Sequence, residues 1–296
     1  IMLKGGQIKT AALLGLMSGL LVLGGYWATG TTQGALIGLA FAAVTSFGSW
    51  FYSDKAALAA YKAQPVTREQ APELYDMVAS LAKKANLPMP KLAVVPTQTP
   101  NAFATGRNPD HAAVAVTEGI MQVLDKDELA GVIAHELTHI RNRDTLTQAV
   151  AGTLGGAVTF LGRILSFGAM YGPVNRDNRQ GGNPLGILVL VILAPISASL
   201  IQMAISRTRE FSADQGSAEI TGNPLALASA LQKLESIGKQ IPMNGNPAFE
   251  PVLIINPFSG GGLQSLFRTH PSTEERVRKL QEIAQQQQNY TSFAVN

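Results

Sequence analysis

His135, Glu136 and His139 stand in the order H-E-x-x-H within GVIAHELTHIRNRD, residues 131–144. On an α-helix, side chains four apart lie on one face, so both imidazoles reach a common point. Two neutral imidazoles at that spacing suit a zinc ion. Glu136, beside the first of them, is placed to take a proton from a metal-bound water. These residue types in this order point to metal-assisted hydrolysis of a peptide bond. A catalytic zinc keeps three protein ligands and one open position, so one more ligand must come from elsewhere. The chain has no Cys, which leaves His and carboxylate as donors.

The remaining histidines are His111 and His270. Glu210 lies in SRTREFSAD with Asp214 one helical turn further on. This E-x-x-x-D spacing lets Glu210 bind the metal while Asp214 holds a ligand imidazole from behind. Glu210 is therefore the favoured third ligand, with His270 and Asp144 as alternatives; Asp144 is close enough in sequence to make folding back difficult. A tetrahedral oxyanion needs a donor beside the metal. His270, Arg207 and Arg209 are candidates, and spacing does not choose among them. The blander account of the charges at 207–210 is a solvated cluster beside a membrane. His111, in a hairpin region, reads as structural or surface.

The elements that position these residues are unevenly apolar. Charged residues make up 15% of the 296, against roughly 25% in soluble domains, and the mean hydropathy is +0.13. Residues 10–53 contain no charge at all. A spanning helix needs about 20 residues, so this run accommodates two, near 11–28 and 35–52, turning at TGTTQG. A secretory signal ending near Ala28 is the competing account of the first. Two more spans are expected at 146–170 and 184–206. Lys and Arg gather on the flanks that share a side with both termini, which places that side in the cytoplasm. The net charge of +3 has the same origin. No long basic cluster and few aromatic residues argue against a nucleic-acid partner.

Between the expected spans the sequence reads as soluble and mixed. Residues 71–87 have helical apolar spacing, while 91–95 and 112–116 are short Val- and Ala-rich strands. Asn101, Ala102 and Phe103 open a third strand, and RNPD after it suggests a hairpin. That strand is either ordinary sheet or a sheet edge beside the metal helix, able to pair with an extended peptide. Asp125 and Glu128 form a capping box for the H-E-x-x-H helix, expected to end near Arg143. Helices are expected from 207 to about 220, from about 224, and from the Ser272/Glu275 capping box to about 286. A flexible tail follows at 288–296. The fold class is mainly α with a small β-sheet, a zincin-like α+β catalytic domain in two parts (55–145 and 207–287). About four transmembrane helices in two hairpins (1–54 and 146–206) complete it.

HELTH, SRTREFSAD, NPFSGGGLQSLFRTHPSTEERV and NAFATGRNPDHAAVAVTEGI together closely resemble HtpX-type membrane zinc peptidases, relatives of the CAAX prenyl proteases. The resemblance covers nearly the whole chain. It implies a gluzincin site with one zinc ion per subunit on His135, His139 and Glu210, and Glu136 as general base. It further implies a bacterial inner-membrane endopeptidase acting on damaged or misfolded membrane proteins. Partners would be polypeptides, lipid and other quality-control proteases. Two readings compete with it: a prenyl-protein protease, for which four spans look too few, and a non-proteolytic scaffold or chaperone with a vestigial metal site. An intact Glu136 argues against the latter.

Overall fold

The computed structural model describes residues 29–146, 207–238 and 271–294, with parts of 15–26 ahead of them. Helix α1 spans Thr32–Ala60, and the Thr31 hydroxyl caps it by accepting from the Gly34 amide. Residues 21–26 form helix on the other side of the turn at Gly30 and Thr31. The two pass so closely that a Cβ on Gly38 would meet the Leu21 carbonyl and one on Gly34 the Gly25 carbonyl. Small residues four apart permit that approach. α1 runs beyond the expected end at 52, through a non-helical Tyr52, because Ala- and Leu-rich residues follow with no breaker. Leu36, Ile37, Leu39, Val44 and Phe47 on α1 are exposed. Among the described residues no helix is long and apolar enough to cross a membrane. The expected spans at 146–170 and 184–206, from 147 on, lie outside the described residues.

The sheet has four strands in the order β1-β2-β4-β3. They are β1 (Gln64–Pro65), β2 (Lys91–Val95), β3 (Ala102–Gly106) and β4 (Ala112–Thr117). β2 and β4 run parallel, Lys91 opposite Ala113; helix α2 (Pro72–Lys84) precedes β2. β3 and β4 form the expected hairpin, Phe103 opposite Ala115, with a 3-10 turn at Pro109–His111. Among the described residues β3 is therefore an edge strand. The two-residue β1 and the short helix α3 (Glu118–Val123) escape the sequence pattern, being too brief to show a period.

Helix α4 (Lys126–Asn142) starts at the expected capping box and ends where Arg143 turns left-handed. Helices α5 (Arg207–Thr221), α6 (Pro224–Gly238) and α7 (Thr273–Ala294) follow. α7 continues past 286, so 288–294 is helical where a flexible tail is expected; its Gln-rich sequence is compatible with helix. One core joins Leu74 and Val78 of α2, Ala104 and Val114 of the sheet, Val132 and Leu137 of α4, Leu231 of α6 and Leu280 of α7. The opposite sheet face, with Phe103 and Ala115, packs on Ala57 and Tyr61 at the end of α1.

Glu128 does two jobs at the start of α4. One oxygen accepts from the Asp125 amide to close the capping box. The buried carboxylate also holds Lys233 at 2.6 Å and the Ser229 hydroxyl at 2.6 Å, tying α6 to α4. Burial alone would raise its pKa, but hydrogen bonds from Lys233, Ser229 and the Asp125 amide outweigh that and lower it. Glu128→Ala should thus destabilise the fold by about 1–3 kcal/mol in denaturant unfolding. A depressed folded pKa stabilises above the unfolded value and loses that effect as pH falls. The difference between variant and parent should therefore persist at neutral pH and shrink below about pH 4.

Candidate metal centre

His135, Glu136 and His139 are all buried on one side of α4. α5 crosses this helix at close range. A Cβ on Gly216 would collide with Thr138 and Arg141, and the Ser217 hydroxyl donates to the Gly131 carbonyl at 2.7 Å. Glycine is required at that crossing because any side chain would drive the helices apart. The crossing carries Glu210, in the first turn of α5, over the two imidazoles.

The three donor groups form a triangle. His135 Nε2 lies 3.1 Å from His139 Nε2, and Glu210 oxygens lie 3.6 Å from the former and 3.5 Å from the latter. Tetrahedral zinc with bonds of about 2.0–2.1 Å would separate its ligands by about 3.3 Å. The group is the candidate metal cluster found among the described residues. Both Nε2 atoms face inward because each Nδ1 has a carboxylate behind it: Asp214 at 3.0 Å for His135, Asp144 at 3.2 Å for His139. Asp144 does fold back after all, since left-handed Arg143 (φ 62) reverses the chain. It reaches Nδ1 of His139, behind the ring, where it supports a ligand.

Charge completes the case for a dication. Glu136, Asp144, Glu210 and Asp214 are buried with Arg209 and Arg276. Four carboxylates against two guanidiniums leave two negative charges, which a divalent ion would neutralise. Without the ion, protons take up part of that imbalance. Burial and Arg276 lower the His135 pKa, but hydrogen bonds to Asp214 and Glu210 prevail and raise it to about 9. Glu136 is likewise raised, chiefly by burial, against the opposing pull of His135 and His139.

Glu136 also touches the sheet. Its Oε2 accepts from the Ala104 amide of edge strand β3 at 2.8 Å. Of the strand candidates, Asn101 is tied into the sheet: its amide donates to Thr117 Oγ1 and its Oδ1 accepts from the Ala102 amide. Phe103 turns to the opposite face, its ring 5.2 Å from Tyr61. Ala104 is the strand residue that meets the chemistry. Arg209 lies 3.9 Å from Asp144, while the Arg207 side chain and His270 lie outside the described residues. Sequence reasoning misses Arg276, whose Nη2 is 2.6 Å from Asp214 Oδ1. Its signal is an arginine on the apolar stripe of α7 beside Val277 and Leu280.

Two histidines and a glutamate whose donor atoms meet, with a second glutamate beside them on crossed helices, are the arrangement that a metal-dependent hydrolase requires. Residues 68–284 match the pattern of peptidase family M48. A Protease HtpX homolog of Nostoc punctiforme is 60% identical over 282 residues, covering 95% of this chain and 98% of the relative. The Acaryochloris marina homolog is 52% identical over 97% of this chain and 98% of its own length. That of Pyrococcus furiosus is 48% identical, with 94% and 96% covered. The crystal structure of S. mikatae Ste24p resembles the fold with a TM-score of 0.51 at 20% identity. That likeness covers 92% of this chain, which spans 65% of the length of Ste24p. The chain belongs to peptidase family M48 and is a metalloendopeptidase.

A raised His135 pKa has a consequence for loading. Below about pH 9 the ring of the metal-free protein carries an extra proton that a metal must displace. Metal affinity, measured by chelator competition, should rise about tenfold per pH unit towards pH 9 and then flatten. A flat profile between pH 7 and 9 would contradict the protonated ring.

Proposed function

We propose that this chain is a zinc-dependent endopeptidase that works at the membrane surface on damaged or misfolded membrane proteins. The observation that carries the reading is the triangle of His135, His139 and Glu210 with Glu136 alongside. Zinc held there would lower the pKa of a bound water to about 7 and polarise the scissile carbonyl. Glu136 takes the water proton and returns it to the leaving amine. Burial raises its pKa, which makes it a stronger proton acceptor than an exposed carboxylate. Asp214 and Asp144 hold the two imidazoles so that neither ring turns away.

Substrate presentation follows from β3. An edge strand has outward backbone groups that an extended peptide can pair with, and β3 lies directly beside Glu136. The opposite face of β3 rests on α1 through Phe103 and Tyr61. At its far end, the Arg107 guanidinium stacks 4.8 Å from the Phe51 ring. The catalytic strand is thereby fastened to the helix whose apolar side chains are exposed, as lipid contact requires. Together with the positive flanks, this supports a plasma-membrane protein with its catalytic part and both termini in the cytoplasm. Unfolded polypeptides reaching that surface are the substrate class, and lipid is the second partner.

Glu136→Gln separates binding from chemistry. Purified in detergent and supplied with zinc, the variant should keep its metal and lose casein cleavage by at least about 1,000-fold. Glu210→Gln should instead lose zinc on dialysis. Equal cleavage by Glu136→Gln and the parent would sink the mechanism, and zinc in neither would favour the scaffold.

A further inference from the structure

Arg276 occupies a place on α7 that the helix otherwise gives to Val277, Leu280 and Ala284, all turned into the core. The residue is 2% exposed. A buried guanidinium is costly unless its fork is matched. Here it is matched by Asp214: Nε donates to Oδ2 at 2.9 Å and Nη2 to Oδ1 at 2.6 Å. The same Oδ1 lies 3.0 Å from His135 Nδ1; Arg276 Nη2 lies 3.3 Å from that nitrogen and 3.5 Å from Nε2, against the ring, and its Nη1 lies 3.8 Å from Glu210 Oε2.

These distances set two imidazole tautomers against each other. With the proton on Nδ1, the ring donates to Asp214 and Nε2 keeps its lone pair for a metal. With the proton on Nε2 instead, Nδ1 and the Asp214 carboxylate face each other with no hydrogen between them, and the metal position is blocked. A two-point grip on Asp214 favours the first arrangement, because it aims Oδ1 at Nδ1 and directs the Nη2 proton to Oδ1. We propose that Arg276 is a positioning residue of the metal centre: its fork orients Asp214 so that His135 presents Nε2 to the metal. α7 thereby becomes part of the site, though it contributes no ligand. The proposal rests on the metal reading above and goes beyond it.

Chelator-competition titrations of the full chain in detergent test it, with thermal unfolding of the metal-free proteins run beside them. R276Q and R276K should each bind zinc about 10–100-fold more weakly than the parent. Lys keeps the charge without the fork, so R276K with parental affinity would overturn the proposal, as would R276Q with parental affinity. If R276Q does not fold, D214N and D214N/R276Q replace it, because the double variant removes both buried charges. Since Arg276 acts through Asp214, the double variant should bind zinc within about twofold of D214N alone; a further tenfold loss would mean that Arg276 acts independently. A parent that binds no zinc would overturn the metal reading itself, an outcome distinct from each of these.

Discussion

Buried charge is the constraint on which this structure turns. Glu136, Asp144, Glu210 and Asp214 lie in the interior around two histidines. An isolated buried carboxylate is far too costly to keep, so each must have a partner or change its protonation. The partners here come in layers. The imidazoles take Asp144 and Asp214 on one nitrogen each and face Glu210 with the other. Arg276 and Arg209 lie behind the aspartates. What remains unbalanced is equivalent to one divalent cation, and the hydrogen bonds of His135 to Asp214 and Glu210, which raise its pKa, offset part of that deficit.

Such a cluster needs a rigid frame, because a buried charge that loses its counterion is strongly destabilising. The frame is helical where ligands sit. α4 is fixed at its start by the Asp125–Glu128 box and by Lys233 of α6, and stopped at its end by Arg143. α5 is drawn against it at Gly216, where glycine allows near contact with Thr138. The sheet supplies the third wall. Because β3 is held by α1 through Phe103 and its Ala104 amide donates to Glu136, that carboxylate is connected through one strand to the helix with the exposed apolar surface.

Much of this was legible in the chain, and the reason is range. H-E-x-x-H and E-x-x-x-D are helical spacings, so the sequence alone reports which side chains share a face. Capping at Asp125, the strands at 91–95 and 112–117 and the β3–β4 hairpin are similarly local signals. Contacts between segments were harder. Asp144 looked too near His139 to reach back, because a left-handed residue at Arg143 has no clear sequence mark when it is not Gly or Asn. Arg276 could not be paired with Asp214, since nothing in the spacing of one helix shows what another brings to it. The end of α7 is helical to Ala294 where a flexible tail is expected, and its Gln-rich polarity does not oppose helix.

The distribution of the site along the chain then has a physical meaning. His135, Glu136, His139 and Asp144 precede residues 147–206, while Glu210, Asp214 and Arg276 follow them. The first group holds two carboxylates and no arginine, whereas the second holds two carboxylates against Arg209 and Arg276. Arg209 lies 3.9 Å from Asp144, so a cation of the second half faces a carboxylate of the first, and the two halves share their charge balance across the α4–α5 crossing. A metal ion held by His135, His139 and Glu210 would sit where the halves meet. It would strengthen the same crossing that brings those groups together, so metal affinity and the docking of α5 and α7 on α4 would be two measures of one set of contacts.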